Sequence, residues 1–112
     1  WYKGQGKFIG RKEGDFYAYL AEGGSNMSGG QKQRLSIARA VVRKPEIYIF
    51  DDSFSALDFK TDTKLRARLK EETGGATTLI VAQRIGTIMD ADKIIVLDEG
   101  EVLAQGRHDE LL

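Results

Sequence analysis

Three short apolar runs, IYIF (47–50), TTLIV (77–81) and KIIVL (93–97), alternate with stretches of helical pattern. Each run has the length and the β-branched or aromatic content of a strand, and the continuous apolar character predicts strands buried on both faces. Between them, a helix is predicted to start at Ser28, with Leu35, Ala38, Val41 and Val42 on one face. Lys32, Gln33, Arg34, Arg39 and Arg43 fall on its other faces. Arg43 and Lys44 suit the negative helix end, and Pro45 stops it. Asp58 is a candidate N-cap for a second helix carrying Leu65 and Leu69 and ending at Gly74-Gly75. A short helix is predicted near RIGTIMD (84–90), a turn at DEG (98–100), a fourth strand at EVLAQG (101–106) and a last helix from about Arg107. KIIVL and EVLAQG read as an antiparallel hairpin at one edge. Alternating strands and helices predict an α/β fold, with a largely parallel sheet flanked by helices.

The N-terminal segment is less regular. GKFIGRKEG (6–14) reads as a short helix or a loop, FYAYL (16–20) as an extended piece, and AEGGSNMSGG (21–30) as a glycine-rich loop. Tyr17 and Tyr19 suit packing better than base stacking. A length of 112 residues allows one small domain. Lys+Arg and Asp+Glu are both 17, so no net field favours nucleic acid or a membrane surface. The absence of cysteine excludes disulfides and thiolate metal sites. The apolar runs are too short to span a bilayer and the first residues do not resemble a signal peptide, which makes the cytosolic side the expected location.

Two stretches carry chemistry. SGGQ (28–31) opens a helix with a hydroxyl and two glycines, where unpaired N–H groups and the helix dipole favour an anion. On these four residues alone, an ordinary capped helix start is the favoured reading. Asp51 and Asp52 follow the apolar run directly. Ligands of open α/β sheets bind beyond the carboxyl ends of the strands, where Asp51 could hold Mg²⁺ and Asp52 could orient a water. The alternative is that both aspartates merely begin a polar loop. His108, the only histidine, is read as a surface residue, and the basic residues of the first helix as a solvated face.

Taken in order, NMSGGQKQR (26–34), KP (44–45), IYIFDD (47–52), SALD (55–58), VAQR (81–84) and IIVLDEGEVLAQGRHDELL (94–112) resemble the nucleotide-binding domain of ATP-binding-cassette (ABC) proteins. The resemblance implies a P-loop NTPase-like ABC ATPase core, present in part. It implies that Ser28, Gly29, Gly30 and Gln31 form the signature motif, with Met27 where leucine is usual. Asp51 is then the Walker B carboxylate for Mg²⁺, Asp58 belongs to the D-loop and Gln83 occupies the H-loop position. ATP and Mg²⁺ are the implied cofactors. AEGGSN (21–26) is similar to exporters of the multidrug and lipid type, and its loop would meet the transmembrane partner.

The sequence contains no GxxxxGK[ST]: Lys7 follows Gly6 but precedes Phe8. The resemblance therefore implies a fragment covering the second half of such a domain. Residues 1–44 would be part of the helical subdomain and 45–112 the C-terminal part of the RecA-like core. Such a fragment alone is expected to bind ATP negligibly.

Two positions depart from the family pattern. Asp52 stands where glutamate usually polarises the attacking water, and Gln83 where histidine usually contacts the γ-phosphate. Losing a methylene draws the carboxylate back by about 1.5 Å, and glutamine cannot take up positive charge. Both imply a degenerate catalytic site in one half of a heterodimer, whose intact signature motif completes the partner's site. The implied partners are a second nucleotide-binding domain and the transmembrane domain of an exporter, at the cytoplasmic membrane face, with no nucleic acid. A soluble ABC ATPase of DNA repair or translation, and a truncated piece without activity of its own, are the alternatives.

Overall fold

The computed structural model describes residues 20–112. GKFIGRKEG, Tyr17, Tyr19 and all but the last residue of FYAYL lie outside the described residues. A 3₁₀ turn, Glu22–Gly24, leads into helix α1, Gly29–Val42. Strand β1 (Ile47–Asp51), helix α2 (Phe59–Glu72), strand β2 (Thr77–Val81) and the short helix α3 (Ile85–Ile88) follow. Strands β3 (Ile94–Asp98) and β4 (Glu101–Gly106) and helix α4 (His108–Leu111) complete the order. The fold is α/β, with a parallel sheet and flanking helices.

Local chemistry sets the element ends. Ser28 caps α1 reciprocally: its hydroxyl accepts from the Gln31 amide at 3.2 Å, and the Gln31 side chain accepts from the Ser28 amide at 3.0 Å. At its far end the chain leaves α1 through Lys44, at φ 46°, and Pro45. Asp58 caps α2 as expected, accepting the Thr61 amide at 3.0 Å and the Thr61 hydroxyl at 2.6 Å. These two bonds favour the ionised carboxylate and hold the Asp58 pKa below its ordinary value. Glu99 and Gly100 both take positive φ, which the tight two-residue turn between β3 and β4 demands.

One apolar cluster holds the centre: Ile37 of α1, Tyr48 and Phe50 of β1, Phe54 and Leu57 of the following loop, and Leu65 and Leu69 of α2. It draws on both sides of residue 45, so the back half of α1 shares its core with β1 and α2. The Phe50 ring stacks on Tyr48 and meets Phe54 at a tilt, each with centroids 5.8 Å apart.

The expectation of strands buried on both faces is not met. In β1 only Tyr48 and Phe50 are buried, while Ile47 and Ile49 are 61% and 67% exposed. Every residue of β2 and β3 except Ile80 and Ile94 is exposed. The reason is geometric. The core residues of α1 and α2 meet Tyr48 and Phe50, hence one face of β1. Ile47, Ile49, Leu79 and Val81 share the other face through the register Ile47↔Thr77, Ile49↔Leu79 and Asp51↔Val81, and no described element covers it. Among the described residues, parallel pairing is confined to β1 and β2. Strand β3 pairs antiparallel with β4, forming a second two-stranded sheet with an irregularity at Val96/Leu97.

The face of α1 also differs from the predicted one. Ile37 and Ala38 are buried, Leu35 is half-buried and Val42 is exposed. The apolar stripe therefore centres one residue away from the Leu35–Val42 line, and Val42, about 100° round from Val41, falls outside it.

Candidate functional site

The parallel register brings the carboxyl ends of β1 and β2 side by side, with Asp51 opposite Val81. Asp52 and Gln83, each just beyond its strand, therefore lie at neighbouring tips. Asp51, Asp52 and Gln83 are all exposed. By alternation, the Asp51 side chain belongs to the uncovered face of β1 that also carries Ile47 and Ile49.

Asp52 ends the strand in a left-handed conformation, at φ 52°. Its amide donates to the Val81 carbonyl at 3.0 Å, one step beyond the ladder. Its carbonyl accepts from the Gln33 side chain at 3.0 Å. These two bonds fix a backbone conformation that aspartate tolerates better than most residues. The short side chain at this position thus has a backbone reason.

The loop 52–57 then passes directly beneath the start of α1. A Cβ on Gly29 would lie 3.2 Å from the Ala56 methyl carbon, and one on Gly30 would lie 3.1 Å from the Ala56 carbonyl oxygen. The two glycines are needed for this approach. The amides of Gly29 and Gly30 stand at the helix N-terminus, where the helix supplies no carbonyl to accept them. The Ser28 hydroxyl oxygen accepts the Gln31 amide and keeps its own proton to donate. Capping and anion binding are thus compatible uses of SGGQ, with Gln31 serving the cap.

Asp58 has a different situation. Both of its carboxylate oxygens accept from Thr61, so its role within the described residues is to start α2. His108 is the first residue of α4 and is half-buried.

The sequence reading missed three residues that organise this region. Gln33, given there only a place off the apolar face of α1, is half-buried and bonds the loop at three points: the Asp52 carbonyl, the Ser55 hydroxyl at 3.1 Å and the Ala56 amide at 2.9 Å. Arg84 approaches from the end of β2 and donates to the Leu57 carbonyl at 3.0 Å and to the Ser55 carbonyl. Asp62 of α2 is buried, pairs with Arg66 at 2.7 Å and lies 3.9 Å from Arg84. Gln33 and Arg84 sit inside the motifs SGGQKQR and VAQR, which is the available signal; helical spacing alone places Gln33 off the apolar face and says nothing of its partners.

The donor set fits a phosphate ligand in part. Gly29 and Gly30 offer amides and Ser28 a hydroxyl proton. Among the described residues, no three His, Cys, Asp or Glu side chains gather to hold a metal ion. Mg²⁺ at Asp51 would therefore need oxygens from phosphate and water.

A glycine-opened helix packs on the loop that follows a carboxylate-tipped strand, the fold is that of an ABC ATPase fragment, and over most of its length the chain is similar to ATP-binding proteins of ABC transporters. The family model described as "ABC transporter" matches residues 12–55. An uncharacterized ABC transporter ATP-binding protein of Mycobacterium tuberculosis is 54% identical over 93 residues, covering 83% of this chain and 16% of that protein. The leukotoxin export ATP-binding protein LtxB of Aggregatibacter actinomycetemcomitans is 42% identical over 105 residues, 94% of this chain and 15% of its own length. Among solved structures, a bacterial Atm1-family ABC exporter with ATP bound superposes with a TM-score of 0.89 at 39% identity, covering 94% of this chain and 18% of that one. The chain thus spans less than a fifth of the length of the relatives it matches. Among the described residues no helix is long and apolar enough to cross a membrane.

Proposed function

We propose that this chain is the C-terminal half of the ATP-binding domain of an ABC exporter, coupling ATP binding and hydrolysis to export across a membrane. The observation that carries the reading is the contact of Gly29 and Gly30 with Ala56, which joins the SGGQ helix start to the loop leaving Asp51 and Asp52. Likeness to an export ATP-binding protein and to an Atm1-family exporter supports the exporter assignment. Residues 1–44 contribute to the helical subdomain and 45–112 to the RecA-like core. The domain works at the cytoplasmic membrane face, docked on a transmembrane domain.

In this reading Asp51 holds Mg²⁺ together with phosphate oxygens and water. Bound ATP supplies the scissile phosphoanhydride. Ser28, Gly29 and Gly30 donate to the nucleotide held by a second nucleotide-binding domain, and the segment around Asp58 meets that partner. Asp52 and Gln83 form the catalytic pair at this chain's own site. The shorter carboxylate and the uncharged amide make that site degenerate, so that hydrolysis is faster at the site completed by SGGQ. A heterodimer follows from that asymmetry. The uncovered face of Ile47, Ile49, Leu79 and Val81 is consistent with a core completed by further chain.

The experiment uses the full-length protein that contains this segment, reconstituted with its membrane partner. Ser28→Arg, which fills the anion site with a bulky cation-bearing side chain, is expected to reduce ATP turnover at least about tenfold, as loss of oriented phosphate donors does. Unchanged turnover would remove SGGQ from the nucleotide site and end this reading.

A further inference from the structure

Loop 52–57 is held from two sides by side chains that the candidate chemistry does not use. From α1, Gln33 donates to the Asp52 carbonyl at 3.0 Å and the Ser55 hydroxyl at 3.1 Å, and accepts the Ala56 amide at 2.9 Å. From beyond β2, Arg84 donates to the Leu57 and Ser55 carbonyls. Behind Arg84 stands the buried Asp62, 3.9 Å away on α2. Between them the two side chains engage Asp52, Ser55, Ala56 and Leu57.

The consequence is mechanical. A connecting loop is ordinarily more mobile than the elements beside it, but here Phe54 and Leu57 anchor it in the core. Its first end is also fixed, by the Asp52 amide on Val81. The glycine contacts with Ala56 leave no room for the loop to rise toward α1. Gln33 sits just over one helical turn after Ser28, so a displacement of the SGGQ turn pulls on the carbonyl of Asp52 directly.

We propose that Gln33 and Arg84 are positioning residues that lock loop 52–57 between α1 and β2, so that the Ser28–Gly30 turn and the Asp51–Asp52 carboxylates move as one body. The inference rests on the proposed function for its catalytic meaning, and on the hydrogen bonds alone for the clamp. In a nucleotide site shared between subunits, the lock would transmit engagement of SGGQ by one ATP to the carboxylates facing another. Positioning errors of about 1 Å are enough to cost on the order of a hundredfold in rate.

The test again uses the full-length protein. Gln33→Met keeps the length of the side chain and removes every bond to the loop. Gln33→Glu keeps an acceptor for the Ala56 amide but sets a carboxylate against the Asp52 carbonyl. Arg84→Lys keeps the charge and loses the forked pair of donors. Each is expected to lower kcat for ATP at least about tenfold while KM stays within about twofold, the pattern of a group that acts on the reacting geometry and not on binding. Hydrogen exchange over residues 52–57 is read in parallel. It should accelerate in Gln33→Met, with α2 as protected as before.

Normal kcat in Gln33→Met and Arg84→Lys, against an active wild type, overturns the positioning role. Unaltered exchange in the loop overturns the clamp itself. A wild-type protein that neither binds nor hydrolyses ATP overturns the proposed function and the catalytic meaning together, and the exchange result then still decides the clamp. A variant that fails to fold is replaced by Ser55→Ala, which removes one Gln33 contact and should reproduce the exchange change in weaker form; its absence counts against the clamp.

Discussion

Asp51 on β1 faces Val81 on β2 in parallel register, and from that pairing Asp52 and Gln83 emerge at adjacent strand tips. Two residues 31 positions apart, both departing from the residue usual in the family, thus occupy one edge of the sheet. Their nearness makes a joint effect on one reaction physically reasonable, since general acid–base groups act only within hydrogen-bond reach. If the pair makes this site slow, then Asp52→Glu with Gln83→His in the full-length protein should raise hydrolysis at this chain's own site about tenfold or more, and total turnover measurably. Glutamate must then accept φ 52° at position 52, a modest cost that the Gln33 and Val81 bonds offset. Turnover left at the wild-type level in a steady-state assay removes the degenerate-site idea.

The 112-residue chain by itself should bind ATP negligibly. It carries no GxxxxGK[ST] sequence to cradle phosphates, and in the function proposed above its glycine-opened helix serves a nucleotide held by a second domain. Isothermal titration of the isolated chain should give no saturable heat. A clear binding isotherm would contradict the division of the site proposed above.

Glycines at two helix positions should respond in opposite ways. A methyl group at Gly86 meets nothing within 4 Å, so Gly86→Ala in α3 should stabilise by about 0.5–1 kcal/mol. A methyl at Gly30 meets the Ala56 carbonyl at 3.1 Å and a Leu57 methyl at 3.4 Å. The loop cannot retreat cheaply because Gln33 and Arg84 hold it. Gly30→Ala should therefore be destabilising, against its favourable helix propensity. Denaturant midpoints of the two variants decide the contrast.

Leu65 is 1% exposed, at the centre of the cluster that joins α1, β1 and α2. Leu65→Ala should cost about 2–5 kcal/mol, the usual range for a truncated core leucine. Equilibrium denaturation measures it. A loss below about 1 kcal/mol would mean that the site collapses around the cavity, or that the cluster is not the stabilising core.

Asp58 gives the acid dependence. Its folded pKa is lowered from the ordinary 3.8 by the Thr61 hydroxyl and then by the Thr61 amide. A depressed carboxylate binds fewer protons in the folded state than in the unfolded one, so its contribution is present above 3.8 and fades as the pH falls through the lower folded value. Asp58→Asn keeps a capping oxygen but has no proton to gain. Stability of wild type and variant should therefore converge as the pH drops below 3.8. A stability difference that persists at low pH would show that the carboxylate charge is not the source.

The element order was legible because it depends on local chemistry. Ser28 and Asp58 announce their helices by capping, Pro45 and Gly75 close theirs, and Glu99-Gly100 fits a tight hairpin. The motifs were legible for the same reason, as contiguous strings. The burial of β1 and β2 was not. An apolar run states that a strand can be buried on both faces, but only the elements packed around it decide whether it is, and here Ile49 and Leu79 have none on their side. Helical spacing likewise gave Gln33 a place on α1 without saying that a loop runs beside it.

By itself the sequence determined, for the described residues, which segments are strands and helices and nearly where they start and stop, and it displayed a glycine-opened helix start and paired carboxylates as contiguous strings, because each of these is settled within a few residues of chain. The tertiary structure alone decided that Asp52 and Gln83 are neighbours, that Gly30 lies against Ala56, and that Gln33 and Arg84 grip the loop between them. These pairs lie about 20 to 30 positions apart in sequence, and only the register of β1 on β2 and the packing of α1 on their connecting loop bring them together.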